Sequence, residues 1–329
     1  MKLNLYDKDL NRIAIIGEVY KSCLWKEGYA SVEPFTLELP SNDEYRKKVK
    51  TDCYIGRTDR DTLMVIKDVD FQKDSIVISG KQATRILDDV AFIGTIDAGQ
   101  RIDTAIKSAY NKSDKYHNLT VANFTLGETY PHQISHKSML ELAQAFCQET
   151  SSGLKVYKED KKLLFSLYRP DAKENLVFGE KFGNMTLQGL KISNEAEKNY
   201  AIVLGQDEGA DRVRVDVDLS LGGQKKQLII DARDLQKEDG ETDDAYNSRL
   251  YARGFEALAD TISVMDCSIL PVATDFGVKY DLGDILQIHL TELGLTLIAR
   301  VVRFSEKSQN NMTEKSVEIG DIMLRKGRR

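Results

Sequence analysis

The segment Phe35-Thr36-Leu37-Glu38-Leu39-Pro40 does most to limit what this chain can fold into. Phe35, Leu37 and Leu39 alternate with Thr36 and Glu38, the period of a strand with one face on a core and the other in water. Pro40-Ser41-Asn42-Asp43 stops it, and a charged loop follows. Residues 62–69 and 75–80 are two further apolar runs, and the spacer Asp70-Phe71-Gln72-Lys73-Asp74 predicts a hairpin between them. Residues 20–90 contain no nucleophile motif, metal cluster or phosphate loop. Strand chemistry with short turns predicts a small antiparallel barrel or sandwich.

The period changes after Asp97. Ile102, Ala105, Ile106 and Ala109 recur at i, i+3, i+4 and i+7, one face of a helix. Residues 119–126 read as a strand. Ser138-Met139-Leu140-Glu141 is a capping box, and Met139, Leu142, Ala143 and Phe146 form the stripe of the helix it starts. Residues 154–157 and 163–168 flank the turn Lys158-Glu159-Asp160-Lys161, which predicts a hairpin. Residues 95–170 therefore read as a small α+β part between strand-rich parts. Strands are expected at 200–205, 213–221 and 228–230. Thr242 is expected to cap a helix with Asp243 and Asp244 in its first turn, and Tyr251, Phe255, Leu258 and Ile262 to form its apolar face. Three strands close the chain: one with Leu286, Ile288 and Leu290 on one face, one with Leu295, Leu297, Ala299 and Val301, and Ser316-Val317-Glu318-Ile319-Gly320.

At 329 residues the chain has room for about two domains and a sizeable core without staples. A net charge of -6 argues against general phosphate-backbone binding, which needs a basic surface. Arg325-Lys326-Gly327-Arg328-Arg329 is the one clear basic patch and reads as a frayed tail. Cys23, Cys53, Cys147 and Cys267 are widely spaced and read as free buried thiols of a reducing compartment. Residues 1–7 carry no signal-peptide core, and no run is long and apolar enough for a membrane span.

Each candidate for chemistry has a plainer reading. His132 and His136 have the i, i+4 spacing of a shared metal, but Gln133 stands where a zincin needs Glu, and Pro131 and Ser138 put the pair in a loop before a helix. The acidic stretch from Glu238 to Asp244 fails as a calcium loop. With Gly240 at the loop's sixth position, Leu235 and Lys237 fall where carboxylates are required. Gly205, Gly209, Gly222 and Gly223 lack phosphate-loop spacing and read as turns. Asp88-Asp89 is a doublet whose side chains point apart on a helix. The expectation is no enzyme: no catalytic residue, no metal ligand and no cofactor.

Three motifs stand in a suggestive order: Leu24-Trp25-x-x-x-Tyr29, then Phe35-Thr36-Leu37-Glu38-Leu39-Pro40, then Val77-Ile78-Ser79-Gly80-Lys81-x-x-x-x-Ile86-Leu87. With Tyr280-Asp281-Leu282-Gly283-Asp284-Ile285, Arg300-Val301-Val302 and Val317-Glu318-Ile319-Gly320 they resemble the siphovirus Gp37-like family of phage tail hubs. That family is related to the N-terminal part of tail-associated lysins and to the gp27-like baseplate hubs. The resemblance implies a mainly β fold with an α+β insert: two small β-barrel domains of the tail-hub type plus a small α+β domain. The expected division is 1–95 for the N-terminal barrel, 96–190 for the α+β middle domain, and 191–329 for the second barrel with one long helix, strands being exchangeable between the barrels. It also implies a homotrimeric ring that closes the tail tube in the virion, assembled in the bacterial host cytoplasm. The implied partners are the distal tail protein, the tape-measure protein and fibre or lysin modules, with phage DNA only passing through the lumen. The sequence stops at Arg329 with no fibre or peptidase module, which reads as a short hub or a separated N-terminal part. Two alternatives are a cell-surface glycan-binding module and a tail-associated peptidoglycan hydrolase. The first needs clustered aromatics where 14 Tyr and one Trp are scattered, and the second needs a catalytic cluster that the motifs do not supply.

Overall fold

The structure, a computed structural model, describes residues 1–193, 198–207, 209, 212–238, 240–259, 264–271, 273–310 and 312–324, with side chains for all of these except 174, 188–193, 259, 264–271, 274 and 321–324. Cys267, Ile262 and the basic terminus 325–329 therefore lie outside the described side chains. The fold is mainly β. Contacts divide the chain into two compact units, Met1–Gln188 with Ile269–Arg329, and Gly189–Ser268.

In the first unit β1 (Leu3–Tyr6), β2 (Arg12–Gly17), β3 (Ser22–Gly28) and β4 (Pro34–Pro40) are followed by α1 (Asp43–Lys48), β5 (Tyr54–Arg57), β6 (Leu63–Phe71) and β7 (Ser75–Gln82). Helix α1 occupies what the sequence presents as a charged loop. Asn42 accepts from the Tyr45 amide as its cap, Asp43 and Glu44 sit at the positive end, and Arg46, Lys47 and Lys48 at the negative end. The strands pair in the order β3-β4-β7-β6-β5-β1-β2. Phe35, Leu37 and Leu39 are at most 1% exposed, as their alternation requires. They share one core with Leu3, Leu5, Ile16, Trp25, Ile55, Met64 and Ile78, so all seven strands turn a face to the same interior and the sheet is rolled. Among the described residues no hydrogen-bonded pairing closes it into a barrel.

Strand β5 and the first four residues of β6 are buried on both faces. Their outward residues Tyr54, Leu63 and Val65 join a second core made by the 3-10 turn Ala83–Asp89 and the α+β part. That part comprises β8 (Ala91–Ile96), β9 (Gln100–Arg101), α2 (Ile102–Lys112), β10 (Leu119–Val121), β11 (Thr129–Tyr130), β12 (Ile134–Ser138), α3 (Met139–Thr150), β13 (Gly153–Glu159) and β14 (Lys162–Tyr168). Ile102, Ala105, Ile106 and Ala109 are all buried, and the Ser138–Glu141 capping box is formed in both directions. The strand expected over 119–126 ends at Val121.

After β15 (Ala172–Phe178) and β16 (Met185–Ser193), the second unit contains β17 (Tyr200–Leu204), β18 (Arg214–Asp218), β19 (Gln227–Asp231) and α4 (Asp243–Ala259). Its sheet order is β18-β17-β19, with β19 parallel to β17, so the turn at Gly222-Gly223 leads across to the far edge and not into a hairpin. The sheet-facing stripe of α4 is Tyr246, Leu250, Gly254 and Leu258. Tyr251 and Phe255, expected on that face, are 46% and 50% exposed. The reason is steric. A Cβ at position 254 would lie 2.6 Å from Val203 Cγ2 and 2.7 Å from Val217 Cγ2, so the helix meets the sheet along its glycine.

The chain returns to the first unit through β20 (Val264–Pro271) and ends in β21 (Ile285–Leu290), β22 (Leu295–Gln309) and β23 (Met312–Leu324). Strand β22 pairs with different strands along its two halves of one continuous sheet. Residues 295–300 pair with β21, which in turn pairs in parallel with β15, while residues 303–309 pair with β3. β23 runs along the opposite edge of both halves. The register shifts between Ile298 and Arg300 and between Val301 and Arg303 fall where the partner of β22 changes from β21 to β3. Bulges there supply the bend.

Candidate functional site

The densest polar chemistry of the first unit lies where the closing hairpin meets the N-terminal strands. Arg57 on β5 and Glu306 on β22 are 249 residues apart in sequence, yet Arg57 Nη1 donates to Glu306 Oε2 at 2.9 Å, with both side chains at most 4% exposed. Arg57 also donates to both Asp59 carboxylate oxygens, at 2.8 and 2.6 Å, and lies over the Trp25 ring. Burial opposes the charged guanidinium, but the bonds to Asp59 and the charges of Glu306 and Asp59 outweigh it, so its pKa stands above the ordinary arginine value. The Arg57 hydrogen bond in turn holds the Asp59 carboxyl below the usual range.

A second arginine pins three segments together. Arg60 donates from Nε to Glu27 at 3.0 Å and from Nη2 to Asp281 at 2.8 Å. Its guanidinium covers Phe276, whose ring stacks on Phe304 at 4.1 Å. Glu27, 1% exposed, also accepts from Trp25 Nε1 at 2.7 Å and from Thr62 Oγ1 at 3.2 Å. A cavity of about 250 Å³ beside it is lined by Glu27, Arg60, Thr62, Gln82, Asp281 and Asp284 among others. Arg303 forms ion pairs with Glu33 and Glu318.

This geometry explains the motif residues. Tyr280 meets Phe178 and Phe276 edge-on. Asp281 anchors Arg60. Gly283 has φ +86°, and a Cβ there would lie 2.4 Å from the Tyr29 ring. Asp284 accepts from the backbone amides of Asp281 and Asp171 at 2.9 and 3.1 Å, while burial pushes its carboxyl pKa up. Tyr29 donates to the Ser151 carbonyl at 2.6 Å, and Arg300 donates to the Gly283 carbonyl at 2.9 Å. Trp25 of the first motif is fully buried. These residues rivet distant segments to one another.

The groups considered for chemistry lie apart from it. His132 is exposed and edge-on to Tyr130, and His136 sits on β12 with φ +51°. Asp88 and Asp89 both pair with Arg85, at 3.2 and 2.9 Å. Glu241 pairs with Arg249, Asp243 with Lys237, and Thr242 caps α4. Burial raises the thiol pKa of Cys23 and Cys147 to about 12, and raises that of Cys53 as well. Among the described residues no group of three His, Cys, Asp or Glu is placed to hold a metal ion, and no described helix is long and apolar enough to cross a membrane.

The fold is similar to that of solved tail proteins. The crystal structure of the prophage MuSo2 43 kDa tail protein from Shewanella oneidensis superposes with a TM-score of 0.56 over 97% of this chain and 98% of its own, at 13% identity. The prophage tail protein gp18 from Listeria monocytogenes gives 0.56 over 97% and 94% at 10% identity. The tail protein from Neisseria meningitidis gives 0.58 over 97% and 95% at 10% identity. The chain belongs to the Siphovirus ReqiPepy6 Gp37-like protein family, whose model matches residues 2–321. No curated protein matches the sequence.

Proposed function

We propose that this chain is a structural component of a phage or prophage tail, the hub that closes the distal end of the tail tube and anchors receptor-binding or lysin modules. The observation that carries this reading is the family match across residues 2–321 together with the tail-protein fold. Three copies build the ring in this reading, with the distal tail and tape-measure proteins as neighbours. Residues 1–95 form a first barrel-like lobe, 96–190 the α+β part, and 191–329 a second lobe that shares β22 and β23 with the first. The dual pairing of β22 supports that sharing. The paired arginines and carboxylates support a role as rigid wall material. A net charge of -6 suits a lumen along which like-charged DNA slides. Immunogold labelling of the tagged chain in purified particles tests the proposal. Label at the tail tip is the expected result, and particles without label, or label on the head, would refute it.

A further inference from the structure

The cavity beside Glu27 has a polar floor whose hydrogen-bonding capacity the protein uses only in part. That floor is buried: Glu27, Gln82 and Asp284 are 1%, 5% and 7% exposed. The rim is open, since the side chains of Asp61, Lys155, Asp171 and Asp281 are 45–73% exposed. Gln82 Oε1 accepts from the backbone amides of Gly28 and Glu33, at 3.0 and 3.1 Å. Two N–H donors converging on one atom fix it as the oxygen, so the other end of the amide is the NH2 group. Among the described residues nothing accepts from that Nε2. A donor this buried is unfavourable without an acceptor, and the cavity is where an acceptor can sit. On the rim, Asp281 uses Oδ1 for Arg60 Nη2 and the Leu282 amide, and its Oδ2 has no partner among the described residues.

The remaining wall narrows the ligand. Leu154, Tyr168, Pro170 and Leu282 place apolar surface between the polar groups. Five carboxylates line the space against three basic side chains, so the wall is net negative. Phosphate and other anions are disfavoured by that balance. A metal ion lacks its ligands, because among the described residues no group of three His, Cys, Asp or Glu is placed to hold one. A bare ammonium group brings donors alone, whereas Gln82 Nε2 and Lys155 need acceptors. A ring of hydroxyls meets both demands. Each hydroxyl donates and accepts, and the C–H faces of the ring suit the apolar surface. At about 250 Å³ the space lies below the ~300–1,000 Å³ of drug-sized sites, so it fits one such ring.

We propose that this cavity binds a single sugar ring, neutral or amino-bearing. Gln82 donates to a hydroxyl oxygen at the floor, and Asp281 and Asp61 accept from hydroxyls at the rim. One small ring at the ordinary yield per atom binds in the low millimolar range. The site does not depend on the hub role, so its failure leaves the tail-tip labelling to judge that role alone.

The test titrates the full-length protein with glucose, galactose, glucosamine and, as an anion, glucuronate. N-acetylglycinamide stands in for a peptide. The one tryptophan of the chain is the reporter, because Trp25 Nε1 donates to Glu27 Oε1 at 2.7 Å at the cavity floor. NMR follows its indole N–H signal and the side-chain NH2 of Gln82. The expected result is a saturable shift of both signals with at least one of the first three sugars, and binding of glucuronate at least about tenfold weaker. Gln82→Glu keeps an acceptor for the two backbone amides but turns the free donor into an acceptor, and should weaken binding at least about tenfold. Asp61→Ala, on the exposed rim, should weaken it about fivefold, and decides the matter if Gln82→Glu does not fold. A disaccharide that binds as well as its ring supports the end of a glycan as the natural ligand, and one that does not supports a free monosaccharide. No saturable shift with any sugar overturns the proposal and leaves a cavity filled by water. N-acetylglycinamide binding more tightly than every sugar overturns it in favour of a peptide, and glucuronate binding as tightly as glucose overturns the neutral or amino-bearing class. Binding that survives both substitutions overturns the placement in this cavity.

Discussion

Replacing Arg57 by Met isolates the contribution of the buried seam. The guanidinium is 3% exposed and Glu306 4%, so the change leaves a carboxylate in the core without its main partner. Breaking a buried pair from one side costs about 3–5 kcal/mol. Lys315 Nζ, 3.9 Å from Glu306, offers partial compensation, which places the expected loss near the low end, ~3 kcal/mol. The lost bonds to Asp59 add less than about 1 kcal/mol, because that carboxylate is 57% exposed and screened by water. For a unit of this size each kcal/mol shifts Tm by about 2–4 °C, so the midpoint should fall by ~6–12 °C. The double change Arg57→Met with Glu306→Leu removes both charges and should return within about 1 kcal/mol of the parent, as apolar replacements of buried pairs do. Urea unfolding followed by circular dichroism measures all corners of the cycle. A single change costing under about 1 kcal/mol, or a double change as unstable as the single, would refute the reasoning.

Gly283→Ala should destabilise the protein by more than about 1 kcal/mol, since φ is +86° and the new methyl meets Tyr29; calorimetry reads it. Gly254→Ala should loosen the second unit selectively, with faster amide exchange over residues 200–204 and 243–259 while the strands of the first unit keep their protection. Ser138→Ala should cost about 1 kcal/mol through loss of the capping box at the start of α3. At pH 8 the native protein should leave Cys23 and Cys147 unalkylated by iodoacetamide and react at both once unfolded in urea; mass spectrometry locates the label. Their folded thiols titrate near pH 12 and unfolded ones near about 8.5, so the folded state holds these protons longer and stability should decline as pH rises between those values.

Local patterns were legible where one period ruled a segment. Phe35, Leu37 and Leu39 show period two and are buried as a row, and Ser138 with Glu141 marks the start of α3 to the residue. Helix α1 was hidden because its six residues bury only Tyr45 and show no periodic stripe. The face of α4 was misjudged because Tyr251 and Phe255 are the larger apolar residues, whereas close packing on Val203 and Val217 required the glycine. Of the seam, Trp25, Tyr29, Tyr280, Asp281 and Gly283 stood out as motif residues, but nothing in their spacing indicated what they touch.

Sequence alone determined the strand-rich class, the helical part in the middle, the closing three-strand meander and the family, because alternation, caps and turn residues act over a few positions. Only the tertiary structure decided that β22 pairs with both β21 and β3, that Arg57 meets Glu306 and that Arg60 meets Asp281. The physical reason is range. A ladder partner or an ion pair across more than two hundred residues is chosen by how the whole sheet rolls to bury its apolar face, and no local pattern carries that information.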